Sequence, residues 1–146
     1  MELFKLNINN ITQEDIEEVK LRLPNRYQKS LNFKVKEDKL RSIGSSLLIL
    51  KAYPGIKEED IAYNQFGKPL LMDGYFNISH DQDLIILVKD DSPIGIDVAN
   101  IREREISNFK KIFSKEEFSY INNDINRFYI CWCKKESILK LLIQIK

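Results

Sequence analysis

The centre of the chain carries its strongest constraint: Leu84-Ile85-Ile86-Leu87-Val88, an unbroken aliphatic run bracketed by turn-forming residues. The run is too short to span a bilayer and reads as a strand. Before it, Asp73-Gly74 is a strong turn signal and Tyr75-Phe76-Asn77-Ile78 a second strand. After it, Asp90-Asp91-Ser92-Pro93 leads into Ile94-Gly95-Ile96-Asp97-Val98, predicted as a further strand across a hairpin turn.

Helical periods surround this strand-rich centre. Residues 3–8 alternate as an opening strand, and Thr12 with Asp15 forms a capping signal for a helix carrying Ile16, Val19 and Leu23, limited by Pro24. From Lys36 to Ala52, the apolar residues Leu40, Ile43, Leu47 and Leu50 recur every three or four positions, and Gly44 would let this helix approach a sheet closely. Pro54-Gly55 ends it, and Gly67-Lys68-Pro69 marks a later turn. Ser114 and Glu117 have capping-box spacing, and residues 128–143 form a last helix with Phe128, Cys131, Trp132, Leu139 and Leu142 near one face. The fold class expected is α+β, an antiparallel sheet flanked by helices.

With 146 residues, 43% of them apolar and 31% charged, the chain suits one folded domain and neither disorder nor a membrane protein. Its 23 basic and 22 acidic residues nearly cancel, so no global field recruits nucleic acid or anionic lipid. The amino terminus lacks the pattern of a secretory signal, and the two cysteines, Cys131 and Cys133, lie about 200° apart on a helix, where they cannot pair. A cytoplasmic location with buried thiols is the expectation. One histidine leaves too few ligands for a zinc cluster.

Few residues can carry chemistry. Asp97 lies in a buried-looking strand, where a carboxylate needs a cation or a set of donors, unless alternation turns it to solvent. Glu136 shares a helical stripe with Trp132 and Lys140; the plain alternative is an exposed i,i+4 pair stabilising the helix by ~0.3 kcal/mol. His80 follows Asn77-Ile78-Ser79 at a strand end. Arg26, Lys29, Lys36, Lys39 and Arg41 form a basic stretch able to meet phosphates or simply to solvate a helix face.

Taken in order, Arg41-Ser42, Gly67-Lys68-Pro69, Phe76-Asn77-Ile78-Ser79-His80, Pro93-Ile94-Gly95-Ile96-Asp97-Val98, Phe113-Ser114-Lys115-Glu116-Glu117 and Trp132-Cys133-Lys134-Lys135-Glu136-Ser137 resemble the 4′-phosphopantetheinyl transferases of the surfactin-synthetase-activating type. The resemblance implies transfer of the phosphopantetheine arm of coenzyme A to a serine of an acyl or peptidyl carrier protein. It implies Mg²⁺ held by Asp97 and Glu136, with Glu136, Asp97 and Lys140 catalytic. It places Arg26, Lys29, Lys68, Arg41 and Ser42 at the 3′-phosphate and adenine end of coenzyme A. Ser79 and His80 fall at the pyrophosphate, and Lys140 at a phosphate.

Two departures accompany the resemblance. Many members carry an acid two residues after the aspartate, where this chain has Ala99 and then Asn100. The family also has two similar halves; here residues 1–98 correspond to the first and 99–146 to a shortened second, ending in the apolar tail Leu141-Leu142-Ile143-Gln144-Ile145-Lys146. That tail is expected to pack on the first half, to pair two protomers, or to end a truncated relative that binds coenzyme A or a carrier protein without transfer.

Overall fold

The computed structural model describes residues 1–145, with side chains described through residue 143; Lys146 and the side chains of Gln144 and Ile145, part of the tail expected to pack or to pair protomers, lie outside the described residues. The order of elements is β1 (Glu2–Asn7), α1 (Gln13–Arg22), α2 (Pro24–Ser30), α3 (Lys36–Ala52), β2 (Ile61–Tyr63), β3 (Pro69–Leu71), β4 (Tyr75–Asp81), β5 (Leu84–Asp90), α4 (Lys115–Ile121) and α5 (Ile125–Ile145). An antiparallel sheet runs in the order β1-β5-β4, and β2 and β3 pair in a small sheet of their own. The α+β class with an antiparallel sheet flanked by helices is therefore present.

Strand β5 owes its continuous aliphatic composition to its central place, because a strand buried on both faces has no reason to alternate. Ile85 and Leu87 join α3 in the main core, which also takes Val19, Leu23, Leu47 and Phe76. Ile86 and Val88 are buried on the opposite face, in register with Ser79 and Asn77 of β4. Helix α3 is held close to the sheet through Gly44, where a Cβ would meet the Ile85 Cδ1 atom at 2.4 Å. Its buried face extends to Leu48 and Ile49, beyond the predicted stripe, because α1 and α2 cover the side away from the sheet.

Both predicted capping boxes form, Thr12 with Asp15 and Ser114 with Glu117. Pro24 ends α1 as expected but also opens α2, because proline at the first helical turn sacrifices no hydrogen bond. A second core gathers Ile106, Phe113, Ile121, Phe128, Tyr129 and Cys131 between α4, α5 and the segment preceding them. Among the described residues no helix is long and apolar enough to cross a membrane.

The strand predicted at 94–98 does not form. The hairpin is β4–β5, turning at Gln82 and Asp83, and the chain after Asp90 leaves the sheet. Instead of sharing a backbone ladder, residues 96–100 run along the face of β4 on its side chains. The amides of Ile96, Val98 and Asn100 donate to Asn77 Oδ1 at 3.1 Å, Ser79 Oγ at 3.2 Å and Asp81 Oδ2 at 2.7 Å. Alternate residues of one strand face thus satisfy alternate amides of an extended segment.

Candidate active site

That side-chain ladder delivers Asp97 to a position between β4 and α5. Its side chain is only 10% exposed, so the carboxylate needs a counter-charge, which comes from Lys140 on α5, with Nζ 2.6 Å from Oδ1. Ser79 ties the pair together: its hydroxyl donates to Asp97 Oδ1 at 2.9 Å and accepts from Lys140 Nζ at 2.9 Å and from the Val98 amide. One donation and two acceptances saturate a hydroxyl, so Ser79 has a single rotor position. The solvent-facing alternative for Asp97 is excluded. So is the simple i,i+4 pair, since Lys140 reaches across to Asp97 rather than back to Glu136.

Segment 93–100 sits this close to α5 because residue 95 is glycine: a Cβ there would lie 1.9 Å from the Ser137 carbonyl oxygen and 2.9 Å from the Leu141 amide nitrogen. From the turn before β3, Lys68 Nζ donates to the Lys140 carbonyl of α5 at 2.9 Å. Partial burial, then the nearby Lys140 cation, lowers the Lys68 ammonium to about 8. Cys133 is not a simply buried thiol. Burial and the adjacent Asp97 carboxylate, which accepts the thiol hydrogen, push it up to about 11, so it stays protonated and unreactive.

Two clefts meet at His80. A basic one of about 220 Å³ is lined by Arg26, Lys29, Arg41, Ser42, Tyr63 and His80 among others, with Gly67 and Pro69 at its edge. A second one of about 270 Å³, the acidic cleft, is lined by Asp81, Asp97 and Glu136 with His80 and Trp132, and also by Arg102 and Arg104. Partial desolvation, then the Arg41 and Lys140 cations, lowers the His80 imidazolium, so the ring is neutral near pH 7.

The basic cleft is built from locked side chains. Arg26 donates through Nε to Ser46 Oγ at 2.8 Å and through a terminal nitrogen to Tyr63 Oη at 2.9 Å. Lys29 sits 5.6 Å from the Tyr63 ring centre. Arg41 bridges Asp38 and the Gln82 carbonyl. In the acidic cleft, Asp81 is neutralised by Arg102 at 2.5 Å, and Arg104 donates to Tyr129 Oη at 2.8 Å.

Of the residues selected from the sequence, Arg26, Lys29, Arg41, Ser42 and His80 line the basic cleft, while Asp97, Glu136 and His80 line the acidic one. Ser79 and Lys140 sit directly behind Asp97. Lys68 is the exception: its neighbours line the basic cleft while its own ammonium is spent on α5. Sequence reasoning missed Tyr63 and the side-chain ladder. The latter had a signal, the polar residues Asn77, Ser79 and Asp81 alternating with Phe76, Ile78 and His80 on a strand beside a fully aliphatic one.

Residues 93–144 match a family model described as the 4′-phosphopantetheinyl transferase superfamily. The chain is 31% identical over 130 residues to 4′-phosphopantetheinyl transferase Sfp of Bacillus subtilis (strain 168), a match covering 80% of this chain and 58% of that protein. It is 31% identical over 117 residues to 4′-phosphopantetheinyl transferase gsp of Aneurinibacillus migulanus, covering 73% and 49%. A further 4′-phosphopantetheinyl transferase of Bacillus subtilis is 34% identical over 127 residues, covering 77% and 56%. The chain thus spans about half the length of the curated relatives it matches. Residues 93–100, α4 and α5 up to residue 144 lie inside the matched region and the acidic cleft is lined from it, so the similarity to the 4′-phosphopantetheinyl transferase superfamily falls on the candidate site.

Proposed function

We propose that the chain transfers the 4′-phosphopantetheine arm of coenzyme A to a serine hydroxyl of an acyl or peptidyl carrier protein, with Mg²⁺ as cofactor. The observation that carries this reading is the junction at His80 of a cationic cleft and a carboxylate-lined one. One extended polyanion can occupy both, its terminal phosphate among cations and its diphosphate beside the acids.

In this reading Arg26, Lys29, Arg41 and Ser42 hold the 3′-phosphate and adenine end, and Lys68 backs that end from the adjoining turn. His80 faces the pyrophosphate, its neutral imidazole serving as a hydrogen-bond partner without adding charge, while Ser79, expected at the same phosphates, is saturated behind Asp97 and acts there by holding that carboxylate in place. Asp97 and Glu136 are hard carboxylates on one cleft, the number Mg²⁺ takes from a protein when waters and phosphate oxygens supply the rest, so the donor set fits the metal. Among the described residues no cluster of three or more acidic, His or Cys side chains is suited to a metal ion, consistent with Ala99 at the position of a third acid. When bound, the ion offsets charge gathering on the diphosphate.

Glu136 takes the proton of the carrier serine as its oxygen bonds to the pantetheine-side phosphorus. The bond from that phosphorus to the bridging oxygen breaks, and adenosine 3′,5′-bisphosphate leaves. Lys140 stabilises the negative charge that collects on the departing phosphate. A cytoplasmic site of action, without nucleic acid or membrane as partner, belongs to the same reading.

A second reading, a relative that binds coenzyme A or a carrier protein without transfer, is favoured by the outer face of α5. There Ile138 is 55% exposed, Leu139 52% and Leu142 49%. Those side chains are also the surface through which two copies would pair. Incubation of the chain with coenzyme A, Mg²⁺ and several apo carrier proteins, followed by weighing each carrier, separates the readings. Gain of one phosphopantetheine arm by a carrier supports transfer; coenzyme A binding with no mass gain supports the binding relative.

A further inference from the structure

We propose that Lys140 is an exchangeable placeholder on Asp97, displaced towards the diphosphate of coenzyme A, so that a divalent cation and coenzyme A bind cooperatively. This rests on the functional reading above. A carboxylate only 10% exposed must keep a counter-charge, and among the described residues that charge is the Lys140 ammonium. The same carboxylate lines the cleft that would receive the cation and is more enclosed there than Asp81, 10% exposed against 23%. Lys140 and a divalent ion cannot both sit on Asp97 without mutual repulsion.

The surroundings let the ammonium move while its helix stays. The Lys140 carbonyl is fixed by Lys68 Nζ at 2.9 Å, whereas the Lys140 side chain remains 28% exposed on a flexible four-carbon stem. The other cations at the cleft are already engaged, Arg102 with Asp81 and Arg104 with Tyr129. An arriving diphosphate therefore offers Lys140 a second anion, and its departure leaves Asp97 to the metal. By linkage each ligand then raises the affinity of the other by one and the same factor.

Mn²⁺ serves as a paramagnetic probe of the cation, with its free concentration read by electron paramagnetic resonance and coenzyme A affinity read by calorimetry. In the wild type, saturating coenzyme A is expected to tighten Mn²⁺ binding by at least about 10-fold, and saturating Mn²⁺ to tighten coenzyme A equally. In Lys140→Met, Mn²⁺ alone is expected to bind about 5-fold tighter than in the wild type, with the gain from coenzyme A cut to about 3-fold or less. Lys140→Arg, which keeps the charge, should restore weak binding of Mn²⁺ alone. Wild-type affinities independent of each other overturn the placeholder, whether or not the variants fold. So does a folded Lys140→Met chain that binds Mn²⁺ no tighter than the wild type, and in that case the functional reading stands if coenzyme A still binds. A wild-type chain that binds neither ligand overturns both.

Discussion

Gly95 and Ser137 are in backbone contact: a side chain on Gly95 would begin 1.9 Å from the Ser137 carbonyl oxygen, inside any permissible separation. This contact sets the distance between the segment carrying Asp97 and the helix carrying Glu136 and Lys140. The obstructing atom is helix backbone, which cannot rotate away. Gly95→Ala is therefore expected to push α5 outward and to destabilise the chain by about 3 kcal/mol, at the upper end for overpacking. Thermal unfolding measures the loss. Full stability in the variant would show that the two segments do not touch as described.

Glu136 lines the acidic cleft, and its side chain holds no hydrogen bond or ion pair among the described residues. Nothing in the fold depends on its charge. Glu136→Gln should change stability by less than about 0.5 kcal/mol and reduce carrier modification by at least about 100-fold. Unfolding curves and carrier mass, measured on one preparation, check both halves of the expectation. A retained rate removes Glu136 as metal ligand and base.

Lys68 makes a pH prediction. Its native ammonium is lowered to about 8 from the usual 10.5, so between those values the unfolded chain holds a proton that the native chain has released. Stability contributed at this site is at its lowest below pH 8 and rises as the pH climbs towards 10.5. Cys133, raised to about 11, acts in the opposite sense above pH 9. The comparison is therefore wild type against Lys68→Met, whose melting temperatures are expected to converge with rising pH once Lys68 is neutral. Parallel curves across this range would mean that the ammonium is not desolvated against α5.

Lys29 lines the basic cleft and is held over the Tyr63 ring. If it meets the terminal phosphate, its loss should matter only when that phosphate is present. Lys29→Ala is expected to weaken coenzyme A about 10-fold, the lower range of a charge-assisted contact, and to leave 3′-dephospho-coenzyme A almost unchanged. Calorimetric titration of both ligands checks the difference. Equal weakening of the two would move Lys29 away from that phosphate.

Much of this arrangement was readable before any coordinates. The caps at Thr12 and Ser114 are local chemistry, as is the period of α3, so short-range rules found them. The run 84–88 read as a strand, whereas its burial on both faces is visible only in the fold, where β5 lies between β1 and β4. The same reasoning failed at 94–98, because apolar alternation cannot distinguish backbone pairing at a sheet edge from support by Asn77, Ser79 and Asp81 on a sheet face. Within the site, Asp97, Glu136, His80 and the basic residues were legible from motif order. The pairing of Lys140 with Asp97 was not, since i,i+4 spacing points to Glu136 and only the approach of segment 93–100 to α5 offers a closer acid. Lys68 was legible only as part of a turn bordering the basic cleft; the donation of its ammonium to the Lys140 carbonyl is a long-range contact that no local spacing encodes.

If the two clefts joined at His80 serve one ligand, coenzyme A must sense a substitution in either of them. Calorimetric titration of coenzyme A in the presence of Mg²⁺ tests it, using the wild type, Arg41→Ala in the basic cleft and Asp97→Asn in the acidic one. One coenzyme A per chain is predicted, with each substitution weakening its affinity by about 10-fold or more. Coenzyme A binding that ignores either substitution would contradict the account, because the clefts would then be separate sites.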